Sequence, residues 1–158
     1  MPVLSPPDLA AAVGRHQRLM GLDLGTKTIG LALSDVSRTV ATPFDTIRRT
    51  KFTPDAEQLF ALMAKHDVGG LVLGLPVEMD GTEGPRCQAT RSFAANLMRL
   101  RDVAIAYWDE RLSTASVTRT LLEADSSRKR RGEVVDKMAA AYILQGLLDS
   151  LPRKSREP

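Results

Sequence analysis

Short apolar runs separated by glycine and polar residues dominate the first part of the chain. Two of these runs cover 19–24 and 29–33, and Gly25-Thr26-Lys27 between them has the composition of a tight turn. The pattern therefore predicts a β-hairpin with Asp23 near its tip. Because side chains alternate along a strand, Asp23 shares a face with Gly21, which leaves room beside the carboxylate. A metal or phosphate site is the leading interpretation of that space, although an aspartate at a strand end often only caps a turn.

The rest of the chain alternates between strand-like and helix-like periodicity. We predict a strand over 39–47, a helix over 53–66, a break at Gly69-Gly70, a central strand over 71–75, a loop over 76–86, a helix over 87–100, a strand over 103–108, a short helix over 113–123, a basic loop over 124–132 and a last helix over 133–151. Antiparallel strands followed by helical crossovers predict a mixed α/β sheet with helices on its faces.

Length and composition indicate one soluble globular domain. The chain has 158 residues, of which 43% are hydrophobic and 26% charged. No apolar run approaches the roughly 20 residues that cross a bilayer, so we expect no membrane partner. A single cysteine, Cys87, excludes an intramolecular disulfide, and the two histidines make a zinc site improbable. These features are compatible with a reducing cytoplasm.

The two ends of the chain lack the patterns of the middle. Residues 1–17 contain three prolines and no basic region of the kind that begins a signal peptide. We expect a poorly ordered extension over 1–17 with one helical turn at most, a single domain over 18–151 and a basic tail over 152–158. The net charge is +3, and much of the positive charge lies in that tail and in the cluster Arg128, Lys129, Arg130 and Arg131. Such clusters suit phosphate backbones, although solvation alone explains the tail.

Three acidic residues lie where predicted elements begin or end. Asp23, Glu110 and Asp136 come from distant parts of the chain and can converge on one edge of the sheet. Carboxylates without histidine or cysteine suit Mg²⁺ or Mn²⁺, and two such ions can promote phosphodiester cleavage. An aspartate in a first helical turn, such as Asp136, is also explained by the helix dipole alone. Asp109 should point away from Glu110 along an extended strand.

Four ordered motifs resemble the YqgF/RuvX family, whose members are described as pre-16S rRNA nucleases and Holliday-junction-resolvase-like proteins. The motifs are GLDLGTKTIGLALSD at 21–35, GLPVEMDGTEGPR at 74–86, DERLST at 109–114 and VDKMAA at 135–140. The resemblance covers about residues 19–150. Four motifs in the right order are far more specific than any one alone.

The resemblance implies an RNase H-like mixed five-stranded sheet flanked by helices, and cleavage at the 5′ end of 16S rRNA precursors during ribosome biogenesis. It implies a catalytic and metal-binding site at Asp23, Glu110 and Asp136, with Mg²⁺ or Mn²⁺ as cofactor. Nucleic-acid contacts would come from Lys27, Arg86, Arg111, Arg128, Lys129, Arg130 and Arg131. The implied partners are pre-16S rRNA, a pre-ribosomal particle and branched DNA, and no nucleotide cofactor is expected.

Departures from the family pattern keep other functions open. Thr28 stands where many relatives carry arginine, and Ala139 replaces a fourth acid that is common in related junction resolvases. Single-strand RNA cleavage is therefore favoured over junction resolution, which would also require a dimer. A nucleic-acid-binding or ribosome-binding module without catalysis fits the same residues. Asp23-Leu24-Gly25-Thr26 also resembles the phosphate loop of actin-like nucleotide binders, but those folds need two similar domains.

Overall fold

A five-stranded mixed sheet forms the centre of the molecule. The computed structural model describes residues 3–112 and 128–152, with side chains in 3–112 and 137–152. Its elements are α1 (Pro6–Ala12), β1 (Arg18–Leu24), β2 (Thr28–Ser34), β3 (Ala41–Arg48), α2 (Phe52–Lys65), β4 (Val68–Leu75), α3 (Pro85–Leu100), β5 (Ala104–Asp109), a 3₁₀ turn (Glu110–Leu112) and α4 (Arg128–Ser150). The strand order is β3-β2-β1-β4-β5. β1, β2 and β3 pair antiparallel, whereas β4 and β5 run parallel to β1.

Each face of the sheet has its own apolar core. On one face, Met20 and Leu22 of β1 pack with residues of α2 and α3. On the other, Leu19 packs with residues of α1 and α4. The two cores follow from side-chain alternation in β1 and from the buried apolar run of β4, whose side chains are covered on both faces. The predicted hairpin and the mixed α/β sheet flanked by helices are therefore confirmed.

The glycine pair at 69–70 lies inside β4 rather than breaking the chain before it. The turn comes earlier, at Asp67, whose φ is 59°. A Cβ at Gly70 would stand 2.9 Å from both Leu9 and Val13, so these glycines let α1 approach the sheet closely. The predicted break was wrong. Glycine is needed at these positions because α1 packs closely against them, not because the chain turns there.

Residues 3–17 also form more regular structure than predicted. Ser5 caps α1 by accepting a hydrogen bond from the amide of Asp8, and Leu9 is completely buried. Leu4 extends the sheet through a parallel bridge to Ala106 of β5. The expectation of a poorly ordered extension over this segment was wrong, because α1 buries an apolar face that the alanine-rich pattern only hinted at.

The basic cluster at 128–131 belongs to the first turns of α4, not to a loop. Arginine and lysine have high helix propensity, and the single Gly132 costs only about 1 kcal/mol in a helix interior. The predicted short helix over 113–123 and the tail beyond 152 lie outside the described residues. None of the helices in the described part of the chain is long and apolar enough to cross a bilayer.

Candidate functional site

Among the described side chains, two buried carboxylates lie at the edge of the sheet where β1, β4 and β5 end, which we call the carboxyl edge. Asp23, near the end of β1, is 1% exposed, and Glu110, just after β5, is 2% exposed. β4 runs between their two strands. Leu22 pairs with Leu73, so Asp23 lies level with Gly74 in the next strand. The sheet therefore brings the ends of two distant chain segments to one place.

Gly74 provides the space in which the Glu110 carboxylate lies. A Cβ at Gly74 would stand 3.1 Å from Oε2 of Glu110 and 2.9 Å from Cγ1 of Ile143 in α4. The carboxylate therefore projects over β4, on the face that carries α4 and next to the strand of Asp23. Any larger residue at this position would push Glu110 or α4 away. The sequence signal was a glycine inside an otherwise apolar strand.

Gly21 has a different role from the predicted one. A Cβ there would stand 2.7 Å from the carbonyl oxygen of Ala140 and 2.8 Å from Cβ of Leu144. Helix α4 itself fills the space beside Gly21, so the interpretation of that space as room for a ligand was wrong. The glycine instead sets how closely α4 lies over β1.

The backbone of Asp136 lies one helical turn before Ala140. Helix α4 runs antiparallel to β1, because Ala140 lies over Gly21 while Gln145, further along the helix, accepts a hydrogen bond from the amide of Ala41 at the opposite end of the sheet. One helical turn and two strand residues both span about 6 Å, which places the Asp136 backbone near the level of Asp23. Among the described side chains no three potential metal ligands form a group, and the Asp136 side chain is not among them.

A cavity of about 280 Å³ opens beside Glu110. Its walls come from the loop after β4, the start of α3 and the 3₁₀ turn, and its lining residues are Pro76, Val77, Glu78, Met79, Gly84, Pro85, Arg86, Glu110 and Arg111. The loop predicted at the end of β4 is confirmed. Its position agrees with the general preference of ligands for the carboxyl ends of strands in α/β sheets.

Internal hydrogen bonds shape this loop. Gly81, with a φ of 91°, allows a turn in which its amide donates to the carbonyl of Glu78. Glu83 accepts two 2.7 Å bonds from Arg91, and these charged bonds hold the pKa of Glu83 below its ordinary value. Glu78 lines the cavity. Glu83 instead binds Arg91 and so connects the loop to α3.

The predicted phosphate-binding residues occupy different surroundings. Lys27 is exposed on the β1–β2 turn, and Arg86 donates to the carbonyl of Leu24 at 3.4 Å. Arg111 instead pairs with Asp109 at 2.7 Å, which lowers the pKa of Asp109 and raises that of Arg111. The carboxylate of Asp109 is thus already paired with an arginine side chain. Residues 128–131 are described by their backbone alone.

One cation near the site was missed from the sequence. Arg49 follows β3, and its guanidinium donates a 2.7 Å hydrogen bond to the carbonyl of Gly25, two residues after Asp23. Its backbone amide donates to the carbonyl of Lys27 at 2.8 Å. The available signal was an arginine pair at the end of a strand that pairs with the hairpin, but the pairing register was needed to place it.

A family model described as RuvX, Holliday junction resolvase, matches residues 17–150. The chain belongs to this family. A relative from Paramagnetospirillum magneticum is 80% identical over 95% of this chain and 97% of its own length. One from Methylocella silvestris is 61% identical over 96% of this chain and 94% of its own length. Both carry the name "Putative pre-16S rRNA nuclease".

Solved structures similar to this RuvX-family chain include the fowlpox virus resolvase in complex with Holliday junction DNA. The TM-score is 0.49 at 9% identity, over 85% of this chain and 98% of that one. At this level of similarity, function has to be argued from the site itself.

Proposed function

We propose that this protein is a metal-dependent endonuclease that processes the 5′ end of pre-16S rRNA during ribosome biogenesis. The observation that carries the proposal is the juxtaposition of two buried carboxylates, Asp23 and Glu110, at the carboxyl edge. The names of the relatives support the choice of substrate. In this role the protein is a cytoplasmic hydrolase of phosphodiester bonds whose partner is RNA in a pre-ribosomal particle.

The donor set at the carboxyl edge fits a hard divalent cation. Cys87 is completely buried, and this burial raises the pKa of its thiol. His66 lies at the end of α2 with its ring packed against Phe44. Asp23 and Glu110 therefore supply carboxylate oxygens, the donors that Mg²⁺ and Mn²⁺ prefer. We propose Asp136 as the third ligand, on the basis of its backbone level on α4.

Each proposed ligand is held by a different part of the fold. Asp23 is carried by β1, Glu110 is seated over Gly74, and Asp136 is carried by α4. These residues would hold a divalent ion, and its chemistry would be to activate water and to stabilise the leaving oxygen in phosphodiester cleavage. Rigid placement of ligands on strands and helices is what such catalysis requires.

The cations around the cavity would bind the RNA backbone. Lys27 and Arg86 flank the end of β1, and Arg111 lines the cavity while its guanidinium is held by Asp109. Arg128, Lys129, Arg130 and Arg131, at the start of α4, would contact the substrate further from the carboxylates. Positive groups near a polyanion raise both affinity and association rate.

The test is cleavage of a 5′-extended 16S rRNA precursor fragment with Mg²⁺ or Mn²⁺, comparing wild type with Asp23→Asn. We expect metal-dependent cleavage by the wild type and a loss of about 100-fold or more in the variant, because an amide replaces a charged metal ligand. EDTA should abolish the wild-type activity. Asp35→Asn, a substitution at the far end of the same hairpin, is the matched control and should cleave normally.

A four-way DNA junction belongs in the same experiment, since the matched family model is described as a junction resolvase. Cleavage of the junction but not of the RNA would replace the proposed substrate with branched DNA. Binding of either nucleic acid without cleavage would instead establish a binding module. Wild-type activity in Asp23→Asn would refute the assigned site.

A further inference from the structure

Within the part of the molecule whose side chains are described, three cations lie around the β1–β2 turn, immediately after Asp23. Lys27 is exposed on the turn itself, Arg86 donates to the carbonyl of Leu24, and Arg49 donates to the carbonyl of Gly25. The three come from three separate parts of the chain, namely the hairpin, the β3–α2 connection and α3. All three therefore lie around the turn that carries the end of β1.

These cations retain most of their hydrogen-bonding capacity. A guanidinium has five N–H donors, and Arg49 uses one of them in the described part of the molecule. Within the same residues, no carboxylate forms an ion pair with Lys27, Arg49 or Arg86. The guanidinium groups of two other arginines nearby are paired with carboxylates, Arg91 with Glu83 and Arg111 with Asp109. Positive charge has thus been left available on one side of the buried carboxylates.

Arg49 is the most firmly positioned of the three. Its Nη1 lies 2.7 Å from the Gly25 carbonyl oxygen, and its Cζ lies 6.0 Å from the centre of the Phe93 ring. Phe93 is buried and packs edge to face against Phe52. A guanidinium that is already oriented loses less entropy when it binds a phosphate.

We propose that Lys27, Arg49 and Arg86 form a phosphate track that holds one nucleic-acid strand beside the buried carboxylates, with Arg49 as its main positioning residue. The proposal rests on the proposed function. Cations spread around an exposed turn suit successive phosphates of a strand, whereas a free nucleotide would be enclosed in a pocket. The track would enter the site from the side of the β1–β2 hairpin.

The test measures binding of a single-stranded RNA fragment to the full chain in EDTA. Binding is monitored by fluorescence anisotropy at several salt concentrations. Without metal, binding is measured separately from cleavage. We expect Arg49→Met to weaken binding about 5- to 10-fold at roughly 0.1 M salt. The slope of log affinity against log salt should fall in magnitude by about 0.7, the value for one lost phosphate contact on a single strand.

Two further variants separate phosphate binding from a structural role. Arg49→Lys should restore most of the salt slope, since it keeps the charge. Arg101→Met is the matched control, because Arg101 also lies over a ring, that of Phe60 at 4.6 Å, but follows α3 at the opposite edge of the sheet. It should bind RNA like the wild type.

The outcomes distinguish the track from the proposed function. An unchanged affinity and salt slope in Arg49→Met, or an equal loss in Arg101→Met, would overturn the track even if the wild type cleaves RNA. A reduced slope in Arg49→Met, with normal slope in Arg101→Met, would support the track even if no substrate is cleaved. In that second case the nuclease assignment alone would fail.

Discussion

The two edges of the sheet use arginine in opposite ways. At the amino edge, where β1, β4 and β5 begin, Arg38 is only 5% exposed. Its guanidinium donates to four carbonyls at and after the end of α1, those of Ala10, Val13, Gly14 and Gln17. At the carboxyl edge, Arg49 donates to one carbonyl and remains exposed. The same side chain thus completes a helix end at one edge and stays available to a ligand at the other.

This difference shows how a charged side chain that stabilises the fold can be distinguished from one that binds a ligand, even when the ligand is unknown. A charged group whose donors or acceptors are all satisfied by backbone contributes to stability, because its removal leaves buried polar atoms unpaired. A charged group with spare donors beside buried carboxylates contributes little to stability and is available for recognition. Substitutions at the two edges should therefore separate folding from activity.

The largest stability effect should come from Arg38→Met. Removing the guanidinium leaves several carbonyls near the end of α1 without a donor, and we expect a loss of about 2 to 4 kcal/mol in the free energy of unfolding. Arg49→Met should cost about 0.5 kcal/mol or less, as is usual for an exposed side chain. Urea denaturation of both variants measures the contrast. Equal losses would show that the two arginines do not differ in role.

Local pattern was enough to predict the hairpin and to place acidic residues, among them Asp23 and Glu110, at the ends of elements. Alternation fixed which residues of β1 share a face, and parallel strands necessarily bring their carboxyl ends to one edge. Asp23 and Glu110 were found on this basis and lie at that edge. The metal-binding and catalytic roles assigned to them remain predictions.

The sequence does not show which distant segments of the chain pack against one another, and the features that were missed depend on this packing. Gly21 is explained by α4 and Gly70 by α1, and neither helix is near these glycines in the chain. Arg38 and Arg49 look alike as sequence, each an arginine beside a strand end. The position of α1 shows that the guanidinium of Arg38 is hydrogen-bonded to backbone carbonyls. The pairing of β2 with β3 shows that the guanidinium of Arg49 keeps donors available.

A smaller loss of stability is expected from the substitution Gly21→Ala. Gly21 lies in β1, between the two edges. The new Cβ would contact the Ala140 carbonyl at 2.7 Å, and such overpacking costs about 1 to 3 kcal/mol. Thermal unfolding measures the loss, and Mn²⁺ binding to the folded variant provides the comparison. If the glycine served instead to make room for a ligand, stability would be retained and metal affinity would fall.

The smallest effect concerns pH at the amino edge. Desolvation raises the pKa of Asp35, but hydrogen bonds from Ser37, Thr39 and Val40 outweigh this and bring the pKa below its ordinary value. A lowered folded-state pKa means that the carboxylate stabilises the protein above the unfolded-state pKa, and that this contribution disappears as pH falls through the folded-state value. Wild type should therefore exceed Asp35→Asn in stability at pH 6, by about 0.5 kcal/mol because the group is exposed. The difference should shrink toward pH 3 in urea titrations, and a difference independent of pH would show that the ionised carboxylate is not what stabilises this turn.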